Sequence, residues 1–479
     1  MTFTKLITVS SIIIFFTIFL GFRFFYALES DHGIYFSGSY YWFNSDLPFY
    51  EIVKDIKPPG YYLFLGSIGF LFDWNYFSAY IGYICSIFLF ISSSALVFLK
   101  INKNINHLIV YLIITSTFMS FLSTNSGIAL FQGGLLNIGL FFHIKIFNKE
   151  PHAMLYVILS YLFIGFAIIS RIDSILIIPL LWFGILIFYN NYSFGKTIKY
   201  FFCALLGLLT PLVILFFLKI SISEFIFYNF ELAAIYKETY LSKIGFIYKP
   251  KVIDAMSGSA LLFLIPVILY NAYLTVKENK NFSQLFGVAG LLFMICVYLW
   301  IGTDRIYHLL VIFPFLTIVF ATACQNIINT QKSYRFLIIA PVLMVLLVFV
   351  QNLMPSAYSA YEKKQNIFSI PIEVIELEDY MSQNKIEHIV SGDIKAWFHV
   401  LKKDNNPKLS HFHNLYLFFN YDDAHVKNDL NKLLNTREKI FLIDIGLLDS
   451  KISTPIMVDI KSKTKTIGQY KDYYIQAVK

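Results

Sequence analysis

Long apolar runs recur along the chain near 6–28, 76–99, 107–122, 127–145, 153–170, 174–190, 200–219, 258–275, 284–301, 308–325 and 336–354, each closed by charged or turn-forming residues. A helix crossing a bilayer takes about 20 mostly apolar residues, so the pattern predicts about eleven transmembrane helices. The first run follows a single Lys5 and shows no small-residue cleavage site, which predicts a retained helix rather than a removed signal. Two breaks are long, 29–75 and 220–257. From about Tyr358 the pattern changes. Strand-like runs Ile386–Val390 and Ile440–Ile445 alternate with helix-like segments Ile372–Gln383 and Asp423–Asn435, predicting a small α/β domain of roughly 120 residues. The expected division is a transmembrane domain over 1–355, carrying outer loops 29–75 and 220–257, and a soluble α/β domain over 356–479. No internal repeat is visible.

Composition narrows the class further. Hydrophobic residues make up 57% of the 479, aromatic residues 19% and charged residues only 14%, against about 25% charged in soluble domains. The mean hydropathy is +0.64. Disordered chains, collagen-like repeats and disulfide scaffolds are excluded. Of the net charge of +8, the stretch up to Pro355 holds 21 Lys and Arg against 14 Asp and Glu, and the remainder 17 against 16. The basic excess lies in the membrane part, so a basic tail for nucleic acid is not supported. With the N-terminus in the cytoplasm, the inner segments hold Lys5, Lys100, Lys103, Lys145, Lys149, Lys196, Lys199, Lys277, Lys280, Lys332 and Arg335 against only Glu150 and Glu278. The positive-inside rule favours that orientation, and an odd span count then places the C-terminal domain outside. Cys85, Cys203, Cys296 and Cys324 all sit in apolar runs and read as small buried hydrophobes.

Candidate chemistry concentrates in the first outer loop. It runs from Asp31-His32-Gly33-Ile34-Tyr35-Phe36 through Pro48-Phe49-Tyr50 to Asp55-Ile56-Lys57-Pro58-Pro59-Gly60. Asp31 follows the first span directly, which places its carboxylate at the membrane–water boundary. Pro58-Pro59 forbids a helix running through it and pins Lys57 at a fixed break. Tyr35, Phe36, Tyr40, Tyr41, Trp42, Phe43, Phe49 and Tyr50 suit a segment lying along the interface. A carboxylate, a lysine and an aromatic platform fit an amphiphilic, anionic substrate. The plain alternative is a solvated acid, a solvated lysine and simple interfacial anchors. In the second loop, Glu224, Tyr228, Asn229, Glu231, Tyr236 and Tyr240 are spaced as in an interfacial helix that covers a site, or as in a solvated connector.

The set D-x-G-x-Y, P-[FY] and D-x-K-P-P-G resembles the first outer loop of the C-type integral-membrane glycosyltransferases. More narrowly, it resembles the bacterial branch related to protein O-mannosyltransferases and the lipid A aminoarabinose transferase. The resemblance covers the first hundred residues well. It continues more loosely through Ser170-Arg171-Ile172-Asp173 and through Asp304-Arg305-Ile306-Tyr307-His308 ahead of Phe313-Pro314. The layout of about eleven spans followed by an outer α/β domain is also similar. Two positions depart from the family. Its members often have Asp-Glu where this chain has Asp31-His32, and many carry an acid near the start of the fourth span, where this chain has Asn125 and Gln132.

The resemblance implies an inverting transfer of a sugar from a polyprenyl phosphate to an acceptor on the outer, periplasmic face of the bacterial inner membrane. A glycosidase needs a general acid because an alkoxide leaves poorly. A lipid phosphate leaves readily and asks for positive charge instead. One carboxylate accepting the acceptor's proton is then enough, and Asp31 is the candidate. Lys57, Arg171, Arg305 and His308 are candidates for the donor phosphate, with His32, Tyr35, Asp55 and Asp173 in support. Arg171 and Asp173 have the alternative of pairing with each other, and Arg305 of snorkelling to headgroups. No cofactor is expected, and the two departures weigh against a divalent-metal scheme without deciding it. The expected partners are a polyprenyl-phosphate-linked sugar, membrane lipids and an acceptor of open identity: lipid A, another lipid, a glycan or a protein. A flippase or transporter of a lipid-linked anion and a glycan polymerase or ligase are the competing readings. The clustering of charge at one face and the lack of a repeat argue against transport.

Overall fold

A computed structural model gives the fold, describing residues 3–23, 30–46, 48–53, 55, 57–119, 127–148, 150–188, 194–231, 273, 282–301, 310–328, 372–386, 388–390, 430–431, 433–435, 439–449 and 455–479. The chain divides into two compact units, one of 1–26, 83–214 and 245–364, the other of 27–82, 215–244 and 365–479.

The described residues of the first unit are helical. Its elements are α1 (Phe3–Arg23), most of α5 (Tyr76–Ile101), α6 (Ile105–Met119), α7 (Gly127–Phe147), α8 (Ala153–Ser170), α9 (Ile177–Phe188), most of α10 (Phe194–Phe217), α12 (Phe282–Ile301) and α13 (Phe313–Ile328). These helices overlie nine of the apolar runs read from the sequence; the runs at 258–275 (apart from Tyr273) and 336–354 lie outside the described residues. Among the described helices, Tyr76–Ile101, Gly127–Phe147, Ala153–Ser170 and Phe194–Phe217 are long and apolar enough to cross a membrane. Small residues let the backbones approach: a Cβ on Gly207 of α10 would meet the Ile158 carbonyl of α8 at 2.5 Å. This is the packing expected where lipid supplies no hydrophobic drive between helices. Some buried polar side chains pair across helices, as in the bond from Asn137 Nδ2 on α7 to Ser94 Oγ on α5 at 2.8 Å.

In the second unit the first long loop, 29–75, is largely helical: α2 (Ser30–Phe43), the single turn α3 (Phe49–Ile52) and α4 (Gly60–Phe72). The aromatic residues of this segment pack on one another. Tyr35, Phe36, Tyr41, Trp42, Phe49 and Tyr50 are buried against one another and against Tyr61 and Tyr62; Phe43 alone of the expected platform is exposed. Three short helices bury their rings on each other, which leaves no flat aromatic face. The Pro58-Pro59 pair acts as read, with α4 starting at Gly60 directly after Pro59 and Leu63 N–H bonding the Pro59 carbonyl at 2.8 Å.

The second long loop, 220–257, begins with α11 (Ile222–Ile226) and a π-helical turn over Phe227–Glu231. Ser221 caps it, accepting a bond from Glu224 N–H at 3.1 Å while its hydroxyl donates to Glu224 Oε2 at 2.7 Å. Towards the C-terminus come α14 (Ile372–Gln383), β1 (His388–Val390), β2 (Ile440–Asp444), α15 (Ile445–Leu448), α16 (Pro455–Lys463), β3 (Thr464–Tyr470) and β4 (Tyr473–Val478). The sheet order is β1-β2-β4-β3, with β1 and β2 parallel and the other pairs antiparallel. Val390, Leu430, Leu433, Phe441, Ile443, Met457 and Ile460 form its core. The β3–β4 hairpin escapes a sequence reading because β3 is an edge strand whose Lys465, Thr466 and Ile467 are exposed.

Candidate functional site

Five of the sequence candidates fall in the second unit. Asp31 is partly exposed in the first turn of α2, where the unpaired N–H groups of the helix favour a negative charge. His32, beside it, is buried, and its Nε2 donates to the Ala79 carbonyl at 2.7 Å. A carbonyl only accepts, so the proton sits on Nε2 and Nδ1 is left as an acceptor towards the Tyr61 hydroxyl, 3.5 Å away. Burial lowers its pKa from the ordinary value to about 4. At neutral pH His32 is therefore an uncharged tie between α2 and the start of α5.

Tyr35 meets Tyr61 and Tyr62 edge-on, with ring centroids 5.6 and 5.3 Å apart. The Tyr62 hydroxyl donates to Asp55 Oδ2 at 2.6 Å, and both residues are fully buried. Burial and the Asp55 charge together hold the Tyr62 hydroxyl protonated, well above its usual range. Asp55 therefore serves as the acceptor of a fixed donor and does not face water. Lys57 is partly exposed between this buried acid and the buried Pro58-Pro59 pair.

The second long loop joins the same unit through α3. Tyr50 stacks on Tyr228 with centroids 4.5 Å apart and planes 2° from parallel. Its hydroxyl accepts a bond from Asn229 Nδ2 at 2.6 Å, and Asn229 also donates to the Phe225 carbonyl at 2.8 Å. The sequence reading named Tyr228 and Asn229 without their partner, because Tyr50 lies 179 residues away.

The first unit holds a polar cluster of its own. Arg171 ends α8 in extended backbone and is buried. Its guanidinium donates to Asp173 Oδ2 at 2.7 Å, so the two pair with each other as the plain alternative has it. The other Asp173 oxygen accepts from Gln132 Nε2 at 2.6 Å, and the same amide nitrogen lies 2.6 Å from Ser174 Oγ. Gln132 thus sits beside the acid of this cluster as a neutral donor. Arg305 and His308 lie outside the described residues. Among the described residues no three His, Cys, Asp or Glu side chains are grouped so as to hold a metal ion.

No protein-family model and no curated protein sequence matches the chain. Solved structures do match it over its whole length. ArnT from Cupriavidus metallidurans bound to undecaprenyl phosphate is similar at a TM-score of 0.56 and 12% identity, over 99% of this chain and 98% of that one. Apo ArnT from the same organism gives 0.52 at 11% identity, over 98% of each chain. The archaeal oligosaccharyltransferase AglB from Archaeoglobus fulgidus, in complex with an inhibitory peptide and a dolichol-phosphate, gives 0.53 at 12% identity, over all of this chain and 75% of that one. The chain shares its fold with ArnT and AglB.

Proposed function

We propose that this protein is an inverting glycosyltransferase of the bacterial inner membrane. It moves a sugar from a polyprenyl-phosphate donor to an acceptor at the periplasmic face. The observation that carries this reading is the full-length fold likeness to ArnT, solved with undecaprenyl phosphate, and to AglB, solved with a dolichol-phosphate. The motif set of the first outer loop supports it independently.

In this mechanism the acceptor hydroxyl oxygen attacks the anomeric carbon as the bond to the phosphate oxygen breaks on the opposite face. Asp31 takes the hydroxyl proton, acting as general base from a partly exposed position at a helix start. The departing phosphate carries its charge without protonation. Lys57, Arg171, Arg305 and His308 are assigned to it as electrostatic partners. Tyr62 and Asp55 keep the Lys57 segment in place, and Asp173 with Gln132 holds Arg171. His32 and Tyr35 support the helix that carries Asp31. The N-terminus lies in the cytoplasm, and the domain over 356–479 lies outside as an acceptor platform or cover.

The test is sugar transfer in membranes carrying a radiolabelled polyprenyl-phosphate-sugar pool. Label moving from the carrier lipid to an acceptor, in proportion to the amount of this protein, is the expected result. Labelled lipid that changes sides of the membrane with its sugar still attached would replace this reading with transport.

A further inference from the structure

Helix α3 is one turn long, and an isolated turn has no stability of its own. Its position is therefore set by what its side chains touch. Phe49 is fully buried edge-on to Trp42 at 4.9 Å and to Tyr62 at 5.1 Å, both within the first outer loop. The other anchor comes from the second outer loop: Tyr50 is held by the parallel ring of Tyr228 and the amide of Asn229. Lys57 follows this turn closely and is bounded on its other side by Pro58-Pro59. One end of the Lys57 segment is thus tied to the second loop, and the other is fixed by proline geometry.

The segment 222–231 is two-faced. Phe225, Tyr228 and Asn229 are buried, while Ile222, Ile226 and Phe230, spaced by four residues, are exposed. Its buried face is specific as well as apolar. Burying an amide costs free energy unless its bonds are made; Asn229 makes those of its NH2 group, to Tyr50 and to the Phe225 carbonyl, while its buried Oδ1 has no partner among the described residues. A leucine would fill this place with no polar group to satisfy. The amide instead fixes how Tyr50, and with it α3, is seated.

We propose that Asn229 and Tyr228 are positioning residues for the donor phosphate, acting through Tyr50 and α3 on Lys57. This rests on the reading above that Lys57 meets that phosphate. The test measures binding of undecaprenyl phosphate to the purified full-length protein in lipid nanodiscs, with Lys57 present and in a Lys57→Met background. Asn229→Leu removes the donor at similar volume; Tyr50→Phe keeps the ring stack and removes only the acceptor, so it gives the same answer if the first variant fails to fold. With Lys57 present, each raises Kd about five- to tenfold, the loss expected for one buried hydrogen bond. The double variant is no worse than either single one, because both remove the same bond. In the Lys57→Met background the same substitutions change Kd less than about twofold, since the group they position is gone. A purely structural effect would persist there undiminished, and that result overturns the proposal, as do additive losses or an unchanged Kd in both single variants. Failure of the phosphate reading looks different: Lys57→Met alone leaves Kd unchanged.

Discussion

Replacing Tyr62 by Phe removes one oxygen from a fully buried pair and leaves the ring in place. The lost bond runs from the Tyr62 hydroxyl to Asp55 Oδ2 at 2.6 Å, a distance typical of a hydroxyl donating to an ionised carboxylate. Hydrogen bonds to charged groups contribute about 1.5–3 kcal/mol. The partner left behind is a carboxylate with no exposure to water, whose desolvation is no longer offset by this donor. The expected loss of stability is therefore about 2–3 kcal/mol, at the upper end of the hydrogen-bond range. Asp55→Asn still offers Tyr62 an amide oxygen and removes the buried charge, so it costs less, about 1 kcal/mol. In the Asp55→Asn background, Tyr62→Phe should then cost clearly less than it does alone, because the charge that needed the donor is absent. The assay is reversible unfolding of the purified protein in mixed micelles by added SDS, followed by intrinsic fluorescence, for all four members of the cycle. Equal costs of Tyr62→Phe in both backgrounds, or a cost below about 0.5 kcal/mol with Asp55 intact, would refute the reasoning.

Two further outcomes follow from His32 and Gln132. His32 has its folded pKa lowered by burial from 6.5 to about 4, so the unfolded chain binds the extra proton first as pH falls. The stability that neutral His32 contributes is present above about pH 6.5 and is lost as pH drops to about 4, an effect of about 3 kcal/mol. His32→Gln keeps a donor for the Ala79 carbonyl and cannot titrate, so the stability of this variant should fall less steeply over that window; parallel curves for variant and wild type would contradict the assignment. Gln132→Glu replaces the donor 2.6 Å from Asp173 with a second acid. It should lower stability by about 2 kcal/mol at neutral pH and recover part of that at pH 5, where one proton is shared between the two acids; a pH-independent effect would argue against direct contact.

The legible parts of this chain were those with a local signal. Apolar runs of bilayer length read directly as helices, and Pro58-Pro59 announced the break before α4. The runs Ile386–Val390 and Ile440–Ile445 gave β1 and β2 because both strands are buried in the sheet core. The helicity of α2 is not legible in its sequence, which is rich in Ser, Gly and aromatic residues and carries no clear 3.6-residue stripe. Its helicity comes from burial against α4, which is a tertiary effect. Distance in sequence hid the polar pairs. Tyr50 and Asn229 are 179 positions apart, and Gln132 and Asp173 are 41 apart. The first outer loop supplied the candidate residues Asp31, Asp55 and Lys57 through its motif, whereas Tyr62, the partner that fixes Asp55, stands just beyond that motif and has no signature of its own.

The central claim is that Asp31 is the base of a lipid-linked sugar transfer. It is tested most directly by comparing wild type with Asp31→Asn for transfer of label from a radiolabelled polyprenyl-phosphate-sugar pool, at matched expression in the same membranes. Asparagine keeps the size and loses the proton acceptor. The account predicts a fall in transfer of at least about a hundredfold, the scale of general-base catalysis, with undecaprenyl phosphate still bound. Transfer at the wild-type rate in the Asp31→Asn protein would contradict it.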